Sequence, residues 1–158
     1  MKHLLILMIL VATALGGDEE IVALTILGEA RGEGTQGMYA VACVIQERSE
    51  KKKLTPAKVC LQKWQFSVWN GKKEKDLQDL WKSKSAPFAK QLAHALCNGW
   101  KLAQDYTGGA NHYYSSDKKT PPYWVYKNVE KIVNGKKVRV KIRLKPTKII
   151  GKHLFFRL

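Results

Sequence analysis

The longest apolar stretch past the amino terminus is Ile21-Val22-Ala23-Leu24-Thr25-Ile26-Leu27, preceded by Asp18, Glu19 and Glu20. Acids favour the positive end of a helix, and Asp18 is a good cap, so a first helix is expected over residues 19–30. Met38, Val41, Ala42 and Ile45 recur at i, i+3, i+4 and i+7, which predicts a second helix over 36–49 with one buried face. Thr55-Pro56 is a cap followed by proline at the first helical position, opening a short helix through Leu61. Another short helix is expected over 76–81. Ser85-Ala86-Pro87 starts a long one to about residue 104, with Phe88, Leu92, Ala95, Gly99 and Leu102 on its buried face. The helical period then stops. Residues 105–126 read as loop, broken by Gly108-Gly109 and Pro121-Pro122. Residues 129–133 and 138–144 flank Asn134-Gly135-Lys136-Lys137 and predict a hairpin turning at Asn-Gly, and 149–158 reads as a closing strand. Helices first and a small sheet last give an α+β class with no internal repeat.

Composition adds a size and a partner class. The chain has 158 residues, 45% of them hydrophobic, which suits one globular domain. Its formal net charge of +15 calls for an anionic partner. Met1-Lys2-His3, the apolar run from Leu4 to Ala12 and the Ala12-Thr13-Ala14 site have the order of a secretory signal over residues 1–16, too short to span a bilayer. The mature domain is then 17–158. Export argues against nucleic acid as the partner and leaves anionic wall polymer or membrane. Cys43, Cys60 and Cys97 allow one disulfide plus a thiol, or three buried small hydrophobes. They have no zinc-ligand spacing to one another or to His3, His94, His112 and His153, so no metal is implied.

The candidate chemistry begins at Gly28-Glu29-Ala30-Arg31-Gly32-Glu33-Gly34. Glu29 continues the row of Val22, Thr25 and Ile26, so it stands at the margin of an apolar stripe, where partial desolvation suits a general acid. The flanking glycines leave the approach to it open. The plain alternative is a helix end whose carboxylate pairs with Arg31 or a lysine. Glu33, one turn on, is read as structural, pairing with Arg31 or Arg48. Two later loops combine aromatic faces with amide, hydroxyl and imidazole groups, the pairing that carbohydrates demand. One holds Gln65, Phe66, Ser67 and Trp69. The other holds Asn111, His112 and Tyr113, followed by Trp124.

These segments, in this order, resemble the SleB-type cell-wall hydrolases, the family of spore-cortex-lytic enzymes. The resemblance runs from Leu24–Gly34 through Gly37–Ile45, Gln65-Phe66-Ser67 and Gly109–Tyr113 to Ile150–Arg157. It implies a lysozyme-like domain, similar to goose-type lysozymes and soluble lytic transglycosylases, with a small C-terminal antiparallel β element. It implies peptidoglycan as substrate, cut between N-acetylmuramic acid and N-acetylglucosamine, with Glu29 as the catalytic acid. Many members form 1,6-anhydromuramic ends. A hydrolytic muramidase and a non-catalytic wall-binding protein are the alternatives. No cofactor is implied, and a secreted monomer is expected. The chain departs from the family's usual pattern at Asn111, Tyr114 and Gln46-Glu47-Arg48, and the basic hairpin looks inserted. Arg139, Lys141 and Arg143 fall on one side of that hairpin, as a tether for anionic wall polymers or as a charged edge against aggregation.

Overall fold

The computed structural model describes residues 17–158, so the signal read over 1–16 lies outside the described residues. Helix α1 (Gly17–Ala30) begins two residues earlier than its pattern suggested. Its residues 22–27 are all buried, and a helix apolar on every side belongs at the centre of a fold. A 3-10 turn, Arg31–Glu33, leads into α2 (Gly34–Lys52), longer at both ends than expected. In α3 (Pro56–Cys60) the Thr55 hydroxyl accepts the Lys58 N–H at 3.3 Å, the predicted cap. The next two elements are 3-10 turns, Ser67–Trp69 and Glu74–Lys82, the latter covering the short helix expected at 76–81.

Helix α4 (Ala86–Cys97) corrects the sequence reading, which carried it to about residue 104. Gly99 has φ of 72°, the left-handed region. The Trp100 N–H donates to the Ala95 carbonyl and the Gly99 N–H to Leu96, which together make a Schellman stop. Gly99 therefore ends the helix instead of sharing its buried face.

The β part holds β1 (His112–Ser115), β2 (Tyr126–Val133), β3 (Lys136–Arg143), β4 (Lys148–Ile150) and β5 (His153–Phe156). β1 lies inside the stretch read as loop, and the expected closing strand is two strands turning at Gly151, whose φ is 54°. They form an antiparallel sheet in the order β1-β5-β4, with Tyr113 opposite Phe155. β2 and β3 form a separate ribbon. Asn134 and Gly135 both have positive φ, 50° and 74°, as a two-residue hairpin loop requires.

The main core surrounds α1 with α2, α3, α4 and the two 3-10 turns. On the other side of α2, Ala40 and Val44 pack with Ala110 and Phe155 and fasten the sheet to the helices. Tyr114, Val125 and Phe156 make a third cluster that reaches the base of the ribbon. Cys43, Cys60 and Cys97 are all free thiols, so the disulfide option falls. Burial pushes Cys43 and Cys97 up to about 11 and Cys60 to about 12, which leaves them as unreactive packing groups.

Candidate functional site

Glu29 stands half-buried in the last turn of α1, where the chain is about to leave the helix. Its neighbour Gly28 explains why anything can reach it. The Val68 side chain lies against Gly28 so closely that a Cβ there would collide with it. That approach brings the 3-10 turn Ser67–Trp69 over the helix end. The Val68 N–H donates to Glu29 Oε1 at 2.8 Å and the Ser67 hydroxyl to the same oxygen at 2.9 Å. From β1 the Tyr113 hydroxyl donates to Oε2 at 2.8 Å. Burial, and then the Glu29 charge and its hydrogen bond, push the Tyr113 phenol well above its usual range. It therefore stays a donor at any working pH.

A cleft of about 620 Å³ opens over this carboxylate. One wall is the end of α1 with Trp64, Gln65, Ser67 and Asn70, and Arg48 is behind it. The other is β1 from His112 to Ser115, with Lys118, Pro122, Tyr123, Trp124 and His153. Glu29 is the sole acid among the described residues that line it.

Arg48 joins the two walls. Its Nε donates to the Asn111 carbonyl at 2.7 Å and its Nη1 to the Gln65 carbonyl at 3.4 Å, while the guanidinium lies 4.9 Å from the Phe66 ring centre. Burial lowers its pKa, opposed by the nearby Tyr113, Cys60 and Glu29. His112 is tied to the Asn111 side chain. Asn111 Oδ1 also accepts the Leu158 N–H, and its amide donates to the Leu158 carbonyl, both at 2.9 Å. Those bonds fix Oδ1 as the acceptor, so His112 Nδ1 at 2.9 Å carries the proton and Nε2 is left as an acceptor. Burial first, then Arg48, Lys52 and Lys51, hold the His112 pKa down at about 4. His153 packs its ring 5.0 Å from that of Tyr113, and its buried Nδ1 has no hydrogen-bond partner among the described residues. Burial lowers its pKa too, with Glu33 and Glu29 pulling the other way.

The expected site residues divide into two groups. Glu29, Gln65, Ser67, His112, Tyr113 and Trp124 meet in the cleft. Phe66, Trp69 and Asn111 do not line it. Phe66 is in the core beneath Arg48, Trp69 donates its indole N–H to Thr25 Oγ1 at 2.8 Å, and Asn111 holds the C-terminal residue. Each is a supporting group behind a wall, because its ring or amide is already engaged. Glu33 has a different partner from those expected. Its carboxylate accepts the Lys152 N–H at 2.8 Å, in the turn between β4 and β5, rather than pairing with Arg31 or Arg48. A Cβ on Gly151 would strike that carboxylate, so the glycine is needed there. Sequence reasoning missed Trp64, Tyr123 and His153 as cleft residues. The first two carry a weak signal, aromatics beside the chosen loops, and the third carries none without the β1–β5 pairing.

With this geometry in view, the comparisons with known proteins are specific. The family model for cell wall hydrolases matches residues 32–156, beginning just after Glu29. The structure is similar to the catalytic domain of the germination-specific lytic transglycosylase SleB from Bacillus anthracis. The TM-score is 0.56 at 24% identity, over 93% of this chain and 100% of that one. The α+β fold is thus similar to that of the SleB catalytic domain. No curated protein matches the chain.

Proposed function

This chain belongs to the cell wall hydrolase family, and we propose that within it the protein is a peptidoglycan lytic transglycosylase acting through Glu29. The observation that carries the reading is the single carboxylate among the described residues that line the cleft. Glycosidases of the usual kind set two carboxyls across the scissile bond, one as acid and one as base or nucleophile. Here one group serves twice. Protonated Glu29 gives its proton to the oxygen leaving C1 of N-acetylmuramic acid, and that C1–O bond breaks. The resulting carboxylate takes the proton of the sugar's own 6-hydroxyl as that oxygen bonds to C1. Acid is regenerated, a 1,6-anhydro ring is formed and no water is consumed. Oε1 already holds two donors and Oε2 only one, which favours Oε2 as the oxygen that carries the proton.

Ser67 and Tyr113 orient the carboxylate. Gln65, His112 Nε2 and the Trp124 face are suited to sugar amides, hydroxyls and ring faces. Asn111, Phe66 and Trp69 support these walls from behind. The partner is the glycan strand of the wall, with anionic wall polymers on the basic ribbon. The protein works as a monomer outside the cytoplasm, with residues 1–16 as the leader. No helix among the described residues is long and apolar enough to cross a membrane.

Mass analysis of fragments released from purified peptidoglycan tests the reading. Products one water lighter than hydrolytic ones, resistant to borohydride, are expected. Reducible muramic ends would replace it with the muramidase reading. An absence of any cleavage would favour the wall-binding one.

A further inference from the structure

One aromatic ring at the lip of the cleft occupies a backbone position that suits glycine. Residues 62–65 form a tight turn, closed by the Gln65 N–H donating to the Gln62 carbonyl at 3.1 Å. The third residue of that turn is Trp64, with φ of 64°. A positive φ there crowds Cβ against the backbone, which is why glycine or asparagine is usual. The fold gains little from the ring in return. Trp64 is 72% exposed, and among the described residues the one aromatic or cationic contact to its face is the Lys63 ammonium at 5.5 Å. The other cleft tryptophan, Trp124, is half-buried and packs on His112, Tyr114 and Phe156.

Tyr123 is a second exposed ring, on the opposite wall and with ordinary backbone. It is 87% exposed and follows Pro121-Pro122, whose locked φ stiffens the chain that presents it. Both rings line the cleft that holds Glu29. Trp64 is three residues from Ser67, so their backbones lie within roughly 11 Å of each other even if the chain is extended. That distance keeps the ring near the sugars flanking the scissile bond.

We propose that Trp64 and Tyr123 are stacking platforms of the glycan groove, taking the apolar faces of N-acetylhexosamine rings on either side of the cleaved bond. The proposal rests on the glycan-cleaving reading. A pyranose ring has a face of C–H groups that an aromatic face covers well. A stiff turn and a proline-braced turn hold the rings in place before binding, so little freedom is lost when the strand arrives. Strain retained at an exposed ring is a cost that folding does not explain and binding does.

The test uses Trp64→Gly and Trp64→Phe, with peptide-free glycan strands from purified peptidoglycan as probe. Affinity is measured in a Glu29→Gln background, and KM and kcat in the active protein. Trp64→Gly should weaken affinity and raise KM roughly tenfold. Its melting temperature should hold or rise, since glycine relieves the turn. Trp64→Phe should keep most of the affinity, and Tyr123→Ala should weaken it as Trp64→Gly does. Unchanged affinity and KM in a Trp64→Gly protein that still cleaves walls would overturn this proposal alone. A fall in melting temperature alongside the loss would show a structural prop and overturn it as well. If the unaltered protein neither binds nor cleaves the strands, the glycan-cleaving reading fails and takes this one with it.

Discussion

Glu29 is held from three sides, and the way it is held says what replacing it should do. In Glu29→Gln the amide oxygen can keep the Val68 and Ser67 donors, and the amide nitrogen can donate to the Tyr113 hydroxyl after that hydroxyl rotates. The fold should survive. The transferable proton is gone, so wall clearing should fall by about 10²–10⁴-fold, the usual worth of general acid catalysis. Turbidity loss of purified walls, alongside thermal melting, checks both halves. Glu33→Gln keeps an acceptor for the Lys152 N–H and should stay close to full activity in the same assay. His112 gives a separate prediction in pH. Its folded pKa, about 4, is below the usual histidine value, so the unfolded chain binds more protons between those two points. Stability should therefore rise with pH from about 4 to about 6.5 and level off above. The lowered pKa of His153 adds a contribution of the same sign. Melting curves of His112→Gln across that window should show a shallower slope, and an identical slope would remove His112 from the effect.

The turn Ser67–Trp69 reaches Glu29 because Gly28 lets Val68 lie on α1. Gly28→Ala should push that turn outward, withdraw the Val68 N–H from Oε1 and cost about 1–3 kcal/mol as overpacking. Val68→Gly added to it removes the Cβ and both methyls that the new side chain would strike, so cleavage should recover in the double variant, with melting and turbidity as readouts. The ribbon of β2 and β3 is a second element with its own role. Its register puts Arg139, Lys141 and Arg143, the stripe expected from strand alternation, on one face together with Lys137, with Glu130 beside Arg139. Arg143 reaches the cleft wall, donating to the Tyr114 hydroxyl at 2.8 Å. The other three do not line the cleft; Lys137 pairs with Glu130 at 3.7 Å and Lys141 lies 4.7 Å from the Tyr126 ring centre. Changing Lys137, Arg139 and Lys141 to glutamine should weaken wall pull-down at low salt and spare cleavage of short soluble fragments. Unchanged pull-down would leave the stripe as a guard against edge pairing.

At the scale of the whole molecule, what could be read in advance was local. The buried central helix, the capped α3, the Asn-Gly hairpin and Glu29 all announce themselves through period, caps or a polar group in an apolar row. What stayed hidden depends on partners far along the chain. β1 is a strand because β5 pairs with it about forty residues later, and Asn111 stays out of the cleft lining with its amide bonded to Leu158. Gly99 was misplaced because a glycine can sit on a helix face or end a helix, and only its positive φ decides. Net charge is the one global property visible from composition, and it sets the last prediction. With +15 on 158 residues, the molecule should be drawn to anionic walls from a distance set by ionic strength. The Debye length shrinks from about 10 Å at 0.1 M salt to about 3 Å at 1 M. Attachment through dispersed lysines and arginines should therefore fall steeply over that range. If the cleft recognises the glycan through short hydrogen bonds and stacked rings, as proposed, cleavage of short soluble glycan fragments should change by less than about twofold. The two measurements, made on one preparation across the same salt series, separate tethering from chemistry. Wall attachment that ignores salt would place the binding in the cleft and leave the basic surface without that task.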